Sequence, residues 1–406
     1  YMPPWRFIHK DRPGLPDIDI DTESTKRLKI FNKIQEYFNS IGSDIMNVCT
    51  FGTQGSKSSI RTAGRSLNAD DNTIAYLTSM VPNERGFDLN LSQCYHGDED
   101  HTPIKEFVNE MDKNPKLWKL ASRIEGLVTS LGAHAAGILI TKGSRSTYNS
   151  VMKTNRGIVV SAYDLKDSEQ IGGLKYDMLT VAALDKIHAT MNYLLEDDTM
   201  VWQGNLRDTY NKYLLPSVLE FDNRKMWQNL WDGEVNDAFQ FDTMVGGQAV
   251  KLIKPDSIKE LAIANTIMRL MAQDNMDLPL DTFVKYKKDI SQWYHEMSLY
   301  GLSRTEVDIL EPYLLPLYGV ADSQEAVMLL TMDEKIAGFT LNEANSLRKA
   351  IAKKDPKVLQ LTKQMYYEKG TSLGNNPFLL DYVWNVQIMR QAGYSFSILH
   401  TMAYST

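Results

Sequence analysis

The sequence predicts an α+β protein in which a small mixed β-sheet is interrupted by a helical insertion and followed by a large helical region. Three observations support this prediction. Residues 15–21 alternate with the period of a strand, residues 126–185 contain further strand-like runs, and residues 186–406 carry apolar side chains at helical spacing. Because 406 residues exceed the usual size of a single core, we expect several domains or one multi-lobed unit.

The bulk composition is that of a folded protein, with 43% apolar and 23% charged residues. The sequence has no apolar run long enough to span a bilayer and no signal-peptide pattern at its start, so we expect a cytoplasmic protein without a membrane partner. Two cysteines exclude a disulfide framework. The net charge of −7 argues against indiscriminate coating of nucleic acid but permits a local basic groove. Because the chain begins at Tyr1 and stops within an apolar run, we expect a portion of a longer protein.

The first strand carries an unusual run of acids. Within GLPDIDIDTE, residues 14–23, aspartate occupies three alternate positions: Asp17, Asp19 and Asp21. Side chains two residues apart on a strand lie on the same face, so we expect these carboxylates together on one face and Ile18 and Ile20 packed on the other. Residues 24–41 then follow a helical pattern, and Gly42 is a suitable stop.

Clustered carboxylates must be solvated, partly protonated or neutralised by cations. Divalent ions such as Mg²⁺ take oxygen ligands, and a pair of such ions held by carboxylates supports phosphoryl transfer. From the spacing alone, a solvated edge strand that resists aggregation is an equal alternative. A second acidic strand favours the metal site, and GLKYDML supplies Asp177, with Lys175 on the same face, where it could neutralise a phosphate.

The remaining segments define the domain pattern. Residues 51–125 are polar and mainly helical, which indicates an inserted subdomain between the two groups of strands. Within it, Cys94, His96 and His101 are too irregularly spaced for a convincing zinc site, and a solvated loop is favoured. His134, in the later segment GAHAAG, is predicted to be a structural, hydrogen-bonded residue rather than a general base.

Several segments, in order along the chain, resemble the bacterial DNA polymerase III alpha subunit, the C family of DNA polymerases. LPDIDID is similar to the P-D-x-D palm strand of that family, and GLKYDML to its second acidic strand. The other similar segments are TFGTQGSKSSIRTAGR, GAHAAGILI, AFQFDT, YGVADSQEAVM and LRKAIAKKD. The chain looks like a divergent member of the family, encoded by a phage or by a bacterium.

The resemblance implies a nucleotidyltransferase-like, polymerase beta-like palm in two parts, residues 1–50 and 126–185. It implies a helical thumb at residues 51–125 and a mainly helical, C-terminally truncated fingers domain at residues 186–406. The implied activity is template-directed addition of deoxynucleotides to a primer 3′-hydroxyl by two-metal-ion nucleotidyl transfer during DNA replication. Implied cofactors are two Mg²⁺ ions, with Mn²⁺ as a substitute.

The resemblance also implies roles for individual residues. The catalytic and metal-binding carboxylates are Asp17, Asp19 and Asp177. The residues that bind nucleotide or phosphate are Lys175, Arg269, Arg348, Lys349, Lys353, Lys354 and His400. The residues that contact the DNA backbone, spaced four apart on one helical face, are Lys57, Arg61 and Arg65. Without the resemblance, the basic run at 348–354 would be interpreted as a solvated helix face.

Two segments depart from the family pattern. The fingers R-P-G-P element is reduced to TIMRLMAQ, which keeps only Arg269. The F-N-K-S-H element becomes FSILH, in which Phe396 and His400 remain and Ile398 replaces lysine. We expect primer–template DNA and dNTPs as partners, and a sliding clamp and other replisome proteins through regions outside this sequence. Two alternatives stay open: a metal-dependent nuclease or phosphohydrolase, and a catalytically incomplete DNA-binding fragment of a polymerase.

Overall fold

The structure is a computed structural model that describes residues 18–84, 87–98, 101–236, 238–270, 277–353, 356–391 and 396–406. It divides into two compact units, one ending at His188 and the other beginning at Ala189. The first unit is mixed α and β, and the second is helical. No helix among the described residues is both long enough and apolar enough to cross a membrane.

All strands of the described residues lie in the first unit. They are Asp19–Thr22 (β1), Ser43–Thr53 (β2), Asn83–Glu84 (β3), Phe87–Asp88 (β4), Val128–Lys142 (β5), Val151–Lys153 (β6), Val159–Ser161 (β7) and Leu174–Thr180 (β8). The helices that begin in this unit are Arg27–Ser40 (α1), Ser56–Ser66 (α2), Asp71–Ser79 (α3), Leu91–His96 (α4), Lys105–Lys113 (α5), Pro115–Ile124 (α6), Arg145–Tyr148 (α7), Leu165–Gln170 (α8) and Ala182–Glu196 (α9).

Six strands form one mixed sheet in the order β1-β8-β5-β2-β7-β6. The edge strand β1 pairs in parallel with β8, whereas β8 pairs antiparallel with β5, and β5 antiparallel with β2. Helix α1 covers one face, where Phe31, Ile34 and Phe38 pack on the buried side chains of Ile45 and Ile138. Alternate residues of β8 therefore point toward α1 or toward the opposite face.

The connection from β1 into α1 has the predicted form. A 3₁₀ turn at Ser24–Lys26 leads into the helix, which ends at Ser40, and Gly42 follows with φ +77°. Arg27 ties the start of α1 to the sheet, because its guanidinium donates to the carbonyls of Ala135 and Met178. The predicted burial of Ile20 is wrong: its side chain is 42% exposed, because β1 is the edge strand and α1 packs over the inner strands.

The helices α2 to α6 form an insertion with its own apolar core. Ile60, Leu77, Leu91 and Phe107 are fully buried there and come from four different helices of the insertion. Asn90 and Gln93 form a capping box that fixes the start of α4. The core of this segment is therefore separate from the core between the sheet and α1.

The described helices of the second unit pack around a large apolar core. Its helices are Leu206–Tyr213 (α10), Arg224–Asp232 (α11), Met244–Ile253 (α12), Ile258–Ile267 (α13), Pro279–Lys288 (α14), Ser291–Leu299 (α15), Arg304–Leu314 (α16), Gln324–Met332 (α17), Leu341–Lys353 (α18), Pro356–Ser372 (α19), Pro377–Tyr382 (α20) and Ile398–Ser405 (α21). A π-helical stretch, Val383–Ile388, continues α20. Trp293 and Trp384 are among the largest fully buried side chains.

Candidate active site

Two neighbouring parallel strands bring two of the predicted carboxylates together. In the register of β1 and β8, Asp19 and Asp177 are direct partners, and the backbone N–H of Asp177 donates to the carbonyl of Ile18 at 2.8 Å. Partners on adjacent strands lie about 5 Å apart, and their side chains leave the sheet on the same face. This face is the one opposite α1, because Tyr176 and Met178, which alternate with Asp177, pack toward α1.

Lys175 and Asp177 form an ion pair on this face. The Lys175 Nζ lies 2.9 Å from Asp177 Oδ2, and the two side chains are 18% and 13% exposed. The other carboxylate oxygen, Oδ1 of Asp177, is buried and has no hydrogen-bond partner in the structure. A buried carboxylate oxygen without a partner is costly. This donor set of hard oxygens therefore fits a divalent cation held by Asp177 together with its neighbour Asp19.

On the other side of β8, strand β5 places a glycine opposite Asp177. Gly137 of β5 is the register partner of Asp177, and a Cβ at Gly137 would lie only 3.0 Å from His134 Nδ1. That nitrogen accepts hydrogen bonds from the backbone N–H groups of Ala136 and Gly137, at 3.2 and 2.7 Å. The predicted hydrogen bonding of His134 is confirmed, and its structural role stays a prediction.

The third predicted carboxylate, Asp17, lies outside the described residues. Among the residues that the structure does describe, no group of three or more His, Cys, Asp or Glu side chains is placed to hold a metal ion. Asp21, two residues beyond Asp19 on β1, is exposed and pairs in register with Leu179. Two members of the predicted trio, Asp19 and Asp177, therefore have described positions.

The zinc alternative receives no support from the insertion. Cys94 is fully buried in the insertion core, and this burial raises the pKa of its thiol to about 11. Cys94 therefore packs as a core residue of α4, and the prediction of a solvated loop is wrong for this residue. His101 Nδ1 lies 2.7 Å from Asp98 Oδ1, which indicates a local loop contact.

In the helical unit, the predicted nucleotide-binding residues Arg269 and His400 meet at Phe396. The Arg269 guanidinium lies 4.4 Å from the centre of the Phe396 ring. The His400 ring stacks on Phe396 with centroids 4.1 Å apart and planes 18° apart. The two residues that the FSILH segment keeps are thus in contact with each other, and Phe396 also contacts the one arginine kept in TIMRLMAQ.

Arg348 is held at the edge of the same cluster. Its Nη1 donates to Gln324 Oε1 and its Nε donates to Asn345 Oδ1, both at 3.0 Å. The backbone N–H of Gln324 in turn lies 3.5 Å from the carbonyl of Phe396. Arg269, Arg348 and His400 are therefore connected through Gln324 and Phe396, although their positions in the sequence are far apart.

The other predicted phosphate-binding residues of the helical unit are three lysines within and just after α18 in the sequence. Lys349 is exposed on α18, Lys353 is the last residue of that helix, and Lys354 lies outside the described residues. Glu325, next to Gln324, accepts a hydrogen bond from the backbone N–H of Ile398 at 3.1 Å. This contact fixes the segment in which Ile398 replaces the lysine of the family pattern.

The predicted DNA-binding row occupies helix α2. Arg61 and Arg65 are exposed, on the side away from buried Ile60 and Ala63. Lys57, however, forms an ion pair with Asp88, with 2.7 Å between Nζ and Oδ1. Hydrogen bonds from Lys57 and then Asn83 hold the pKa of the Asp88 carboxyl below its usual value. Arg61 and Arg65 are therefore exposed on α2, whereas Lys57 is paired with Asp88.

Sequence reasoning assigned no role to Gln240 or Gln324, although both lie in quoted motifs, AFQFDT and YGVADSQEAVM. Gln324 holds Arg348, and Gln240 contacts His400 with 3.1 Å between the two Nε2 atoms. The two motifs were therefore the sequence signal from which a role for these glutamines could have been inferred. What the sequence could not provide was the partner of each amide, because the partners lie 24 and 160 residues away.

Two family models match the two parts of the chain separately. The family model of the bacterial DNA polymerase III alpha NTPase domain matches residues 2–180, and that of the bacterial DNA polymerase III alpha subunit finger domain matches residues 200–374. A probable DNA polymerase, YorL, of Bacillus subtilis strain 168 is 46% identical over all 406 residues of the chain. A DNA-directed DNA polymerase of Bacillus phage SPbeta is also 46% identical over the same length.

A more distant relative is the DNA polymerase III subunit alpha of Staphylococcus aureus strain NCTC 8325 / PS 47, which is 26% identical over 402 residues, 98% of the chain. The chain covers 31% of the length of the Bacillus and phage relatives and 34% of the length of the Staphylococcus relative. It thus spans about a third of the curated relatives that it matches. With two consecutive domains of one subunit matched along most of its length, the chain belongs to the family of bacterial DNA polymerase III alpha subunits.

Proposed function

We propose that the protein to which this chain belongs is a DNA-directed DNA polymerase that extends a primer 3′-hydroxyl with deoxynucleotides during DNA replication. The observation that carries the proposal is the parallel register of Asp19 and Asp177, with one buried carboxylate oxygen of Asp177 left without a partner. Family membership and the polymerase names of the relatives support it.

Asp17, Asp19 and Asp177 would hold two Mg²⁺ ions, for which Mn²⁺ would substitute. When bound, these ions favour ionisation of the primer hydroxyl and neutralise charge on the triphosphate. The contribution of the chain itself is positioning. Lys175 contacts Oδ2 of Asp177 and would provide positive charge beside the position of a nucleotide phosphate.

The proposed architecture assigns residues 1–50 and 126–185 to a polymerase beta-like palm and residues 51–125 to the thumb. Residues 186–406 would form the fingers. The six-stranded sheet interrupted by a helical insertion supports the first two assignments, and the large helical unit supports the third.

In the fingers, Arg269, Arg348 and His400 would bind the nucleotide, since the cluster around Phe396 gathers two guanidinium groups and an imidazole. Guanidinium groups are well suited to phosphate oxygens. Lys349, Lys353 and Lys354 would add positive charge at and beyond the end of α18. Ile398 cannot supply the charge of the lysine it replaces, so the triphosphate contacts of this chain rest more heavily on the arginines.

Lys57, Arg61 and Arg65 would contact phosphates of primer–template DNA along α2. A sliding clamp and other replisome proteins would bind through parts of the longer polymerase. The proposed place of action is the cytoplasm of a bacterial cell, either a host or a phage-infected one.

Primer extension tests the proposal. The full-length polymerase is incubated with a labelled primer on a template, Mg²⁺ and dNTPs, and compared with Asp19→Asn and Asp177→Asn. We expect extension by the unaltered protein and a loss of at least about a thousandfold in each variant, because both carboxylates act in the transition state. Extension that survives either substitution contradicts the proposal.

The same assay separates the two rivals. A nuclease or phosphohydrolase would shorten the labelled strand in Mg²⁺ without dNTPs, and the same aspartate variants would abolish this shortening. A DNA-binding fragment would retain the primer–template in a mobility-shift assay but would neither extend nor shorten it. Either pattern in the unaltered protein would replace the polymerase assignment.

A further inference from the structure

Gln240 combines three unusual features in one residue. Its backbone has φ +68°, a left-handed conformation that residues other than Gly, Asn and Asp rarely adopt. Its side-chain oxygen, Oε1, is buried and has no hydrogen-bond partner in the structure. Its side-chain nitrogen, Nε2, lies 3.1 Å from His400 Nε2. The residue therefore bears both an unfavourable backbone conformation and an unsatisfied oxygen while it contacts one imidazole.

The turn that contains Gln240 packs closely against the start of α12. A Cβ on Gly246 would lie 2.7 Å from the carbonyl oxygen of Gln240 and 2.6 Å from Phe241 Cα. Thr243 caps α12 by accepting a hydrogen bond from the backbone N–H of Gly246. A strained residue persists only where its surroundings over-determine it, and such residues concentrate at functional sites.

The turn containing Gln240 contacts helix α21 at two successive positions. Phe239 stacks on Tyr404 with ring centroids 4.3 Å apart and planes 26° apart. Gln240 contacts His400, one helical turn before Tyr404 on the same face of α21. His400 also lies against Phe396 and Tyr404, at 4.1 and 4.6 Å between centroids. The aromatic contacts hold the imidazole plane, and the amide contacts one of its nitrogens.

We propose that Gln240 is a positioning residue that sets the tautomer of His400. An amide nitrogen has only hydrogens to offer, so His400 Nε2 must be the acceptor in this contact. The neutral imidazole then carries its proton on Nδ1. The proposal rests on the nucleotide-binding role of His400 in the proposed function and adds how that ring is prepared for it.

The amide also explains why a glutamine suits this position. A carboxylate here would accept a proton from Nε2 and so favour the opposite tautomer or the imidazolium ion. A methionine would fill similar space without a hydrogen bond. Only a side-chain amide or another donor of this length holds Nε2 as an acceptor, and the unpartnered Oε1 is the accompanying cost.

Nitrogen NMR of the chain labelled with ¹⁵N at its seven histidines tests the tautomer directly. His400→Asn identifies the His400 signals. At neutral pH we expect Nε2 of His400 to show the shift of an unprotonated ring nitrogen and Nδ1 that of a protonated one. Gln240→Met should give an average of the two tautomers, and Gln240→Glu should move Nε2 toward the protonated form. A protonated Nε2 in the unaltered chain, or signals unchanged in Gln240→Met, would overturn the proposal.

Titration with dATP and Mg²⁺ measures the consequence for the proposed function. We expect Gln240→Met to weaken dATP binding about fivefold to tenfold, the effect of losing one hydrogen bond. Gln228→Met, a change to an exposed glutamine whose amide contacts Asp232, should leave binding unchanged. Gln240→Asn is a second variant, since asparagine tolerates positive φ but is too short to reach His400. Equal affinity in both Gln240 variants and the unaltered chain contradicts the positioning role.

Failure of the nucleotide-binding role of His400 and failure of the positioning role of Gln240 give different results. If His400→Asn binds dATP as tightly as the unaltered chain, the role of His400 in the proposed function is wrong, whereas the NMR result still decides whether Gln240 sets its tautomer. If His400→Asn weakens binding but the tautomer does not depend on Gln240, only the positioning inference is wrong.

Discussion

Asp19 and Asp177 are direct partners on two adjacent parallel strands, although 158 positions separate them in the sequence. Both side chains leave the sheet on the face opposite α1, and Lys175 closes one side of the pair. Among the described residues, β1 is the edge of the sheet, and no strand that the structure describes pairs with its outer side. The Asp19 and Asp177 carboxylates, which would repel each other, together form a candidate cation site.

The first prediction concerns the ion pair of Lys175 and Asp177. Because Lys175 Nζ lies 2.9 Å from Asp177 Oδ2, it competes with a metal ion for that oxygen. Lys175→Met should therefore bind Mn²⁺ several-fold more tightly than the unaltered chain, measured by the signal of free Mn²⁺ in electron paramagnetic resonance. Lys153→Met, at an exposed position of β6, is the control. Weaker binding in Lys175→Met would mean that the lysine supports the metal rather than competing with it.

A second prediction concerns the salt dependence of DNA binding. Each phosphate contact contributes about 0.9 to the slope of log affinity against log salt. Arg61→Ala and Arg65→Ala should each reduce the slope by about that amount. Asp88→Asn should increase the affinity, because Lys57 is then released from its ion pair. Lys113→Ala should have little effect. Lys113 is exposed and lies on α5, where it is paired with Glu110. Equal slopes for all these variants would show that α2 does not follow the DNA backbone.

The third prediction concerns Asp322, whose carboxyl is buried. Burial raises the pKa of Asp322 to about 6 from the usual 3.8, and its Oδ1 has no hydrogen-bond partner in the structure. Between these two pH values the unfolded chain has released the proton while the folded chain retains it, so the free energy of unfolding falls as pH rises. The loss is complete above about pH 6 and amounts to about 3 kcal/mol.

Asp322→Asn removes this titration. Urea unfolding of the two proteins should give similar stabilities near the lower of the two pH values and a more stable variant at neutral pH. The comparison uses the difference between the proteins, since other carboxylates titrate in the same range. A difference in stability that does not change with pH would contradict the assigned cause.

A fourth prediction uses two glycines with the same backbone conformation. Gly319 and Gly374 have φ +74° and +78°, but a Cβ at Gly319 would lie 2.5 Å from the buried Trp293 ring, whereas one at Gly374 meets nothing within 4 Å. Gly374→Ala should cost about 1–2 kcal/mol of unfolding free energy from backbone strain alone. Gly319→Ala should cost roughly a further 1–3 kcal/mol, because Trp293 must move. Equal losses in thermal unfolding would show that the Trp293 contact relaxes freely.

Periodicity in the sequence predicted the local elements well. The strand with alternating aspartates, the helix that follows it and its stop at Gly42 all occur in the structure. The exposure of Ile20 was missed because alternation predicts two faces of a strand, and does not indicate which neighbours cover each face. An edge position follows only from the order of all the strands.

Contacts between distant segments could not be derived from local patterns. The motifs suggested that Arg269, Arg348 and His400 belong to one function, but their connection through Gln324 and Phe396 depends on tertiary packing. Likewise, Lys57 was expected on a basic helix face, and its pairing with Asp88 depends on a strand placed beside that helix. Non-local ion pairs have no periodicity from which they could be predicted.

Binding of Mn²⁺ to the chain tests most directly whether the Asp19 and Asp177 carboxylates form a cation site. Electron paramagnetic resonance compares the unaltered chain with Asp19→Asn, Asp177→Asn and the control Asp71→Asn, which changes an exposed acid of the insertion. We predict that Asp19→Asn and Asp177→Asn each weaken binding at least about tenfold, because each removes a charged oxygen ligand. Unchanged Mn²⁺ affinity in both, with Asp71→Asn behaving the same way, would contradict the account.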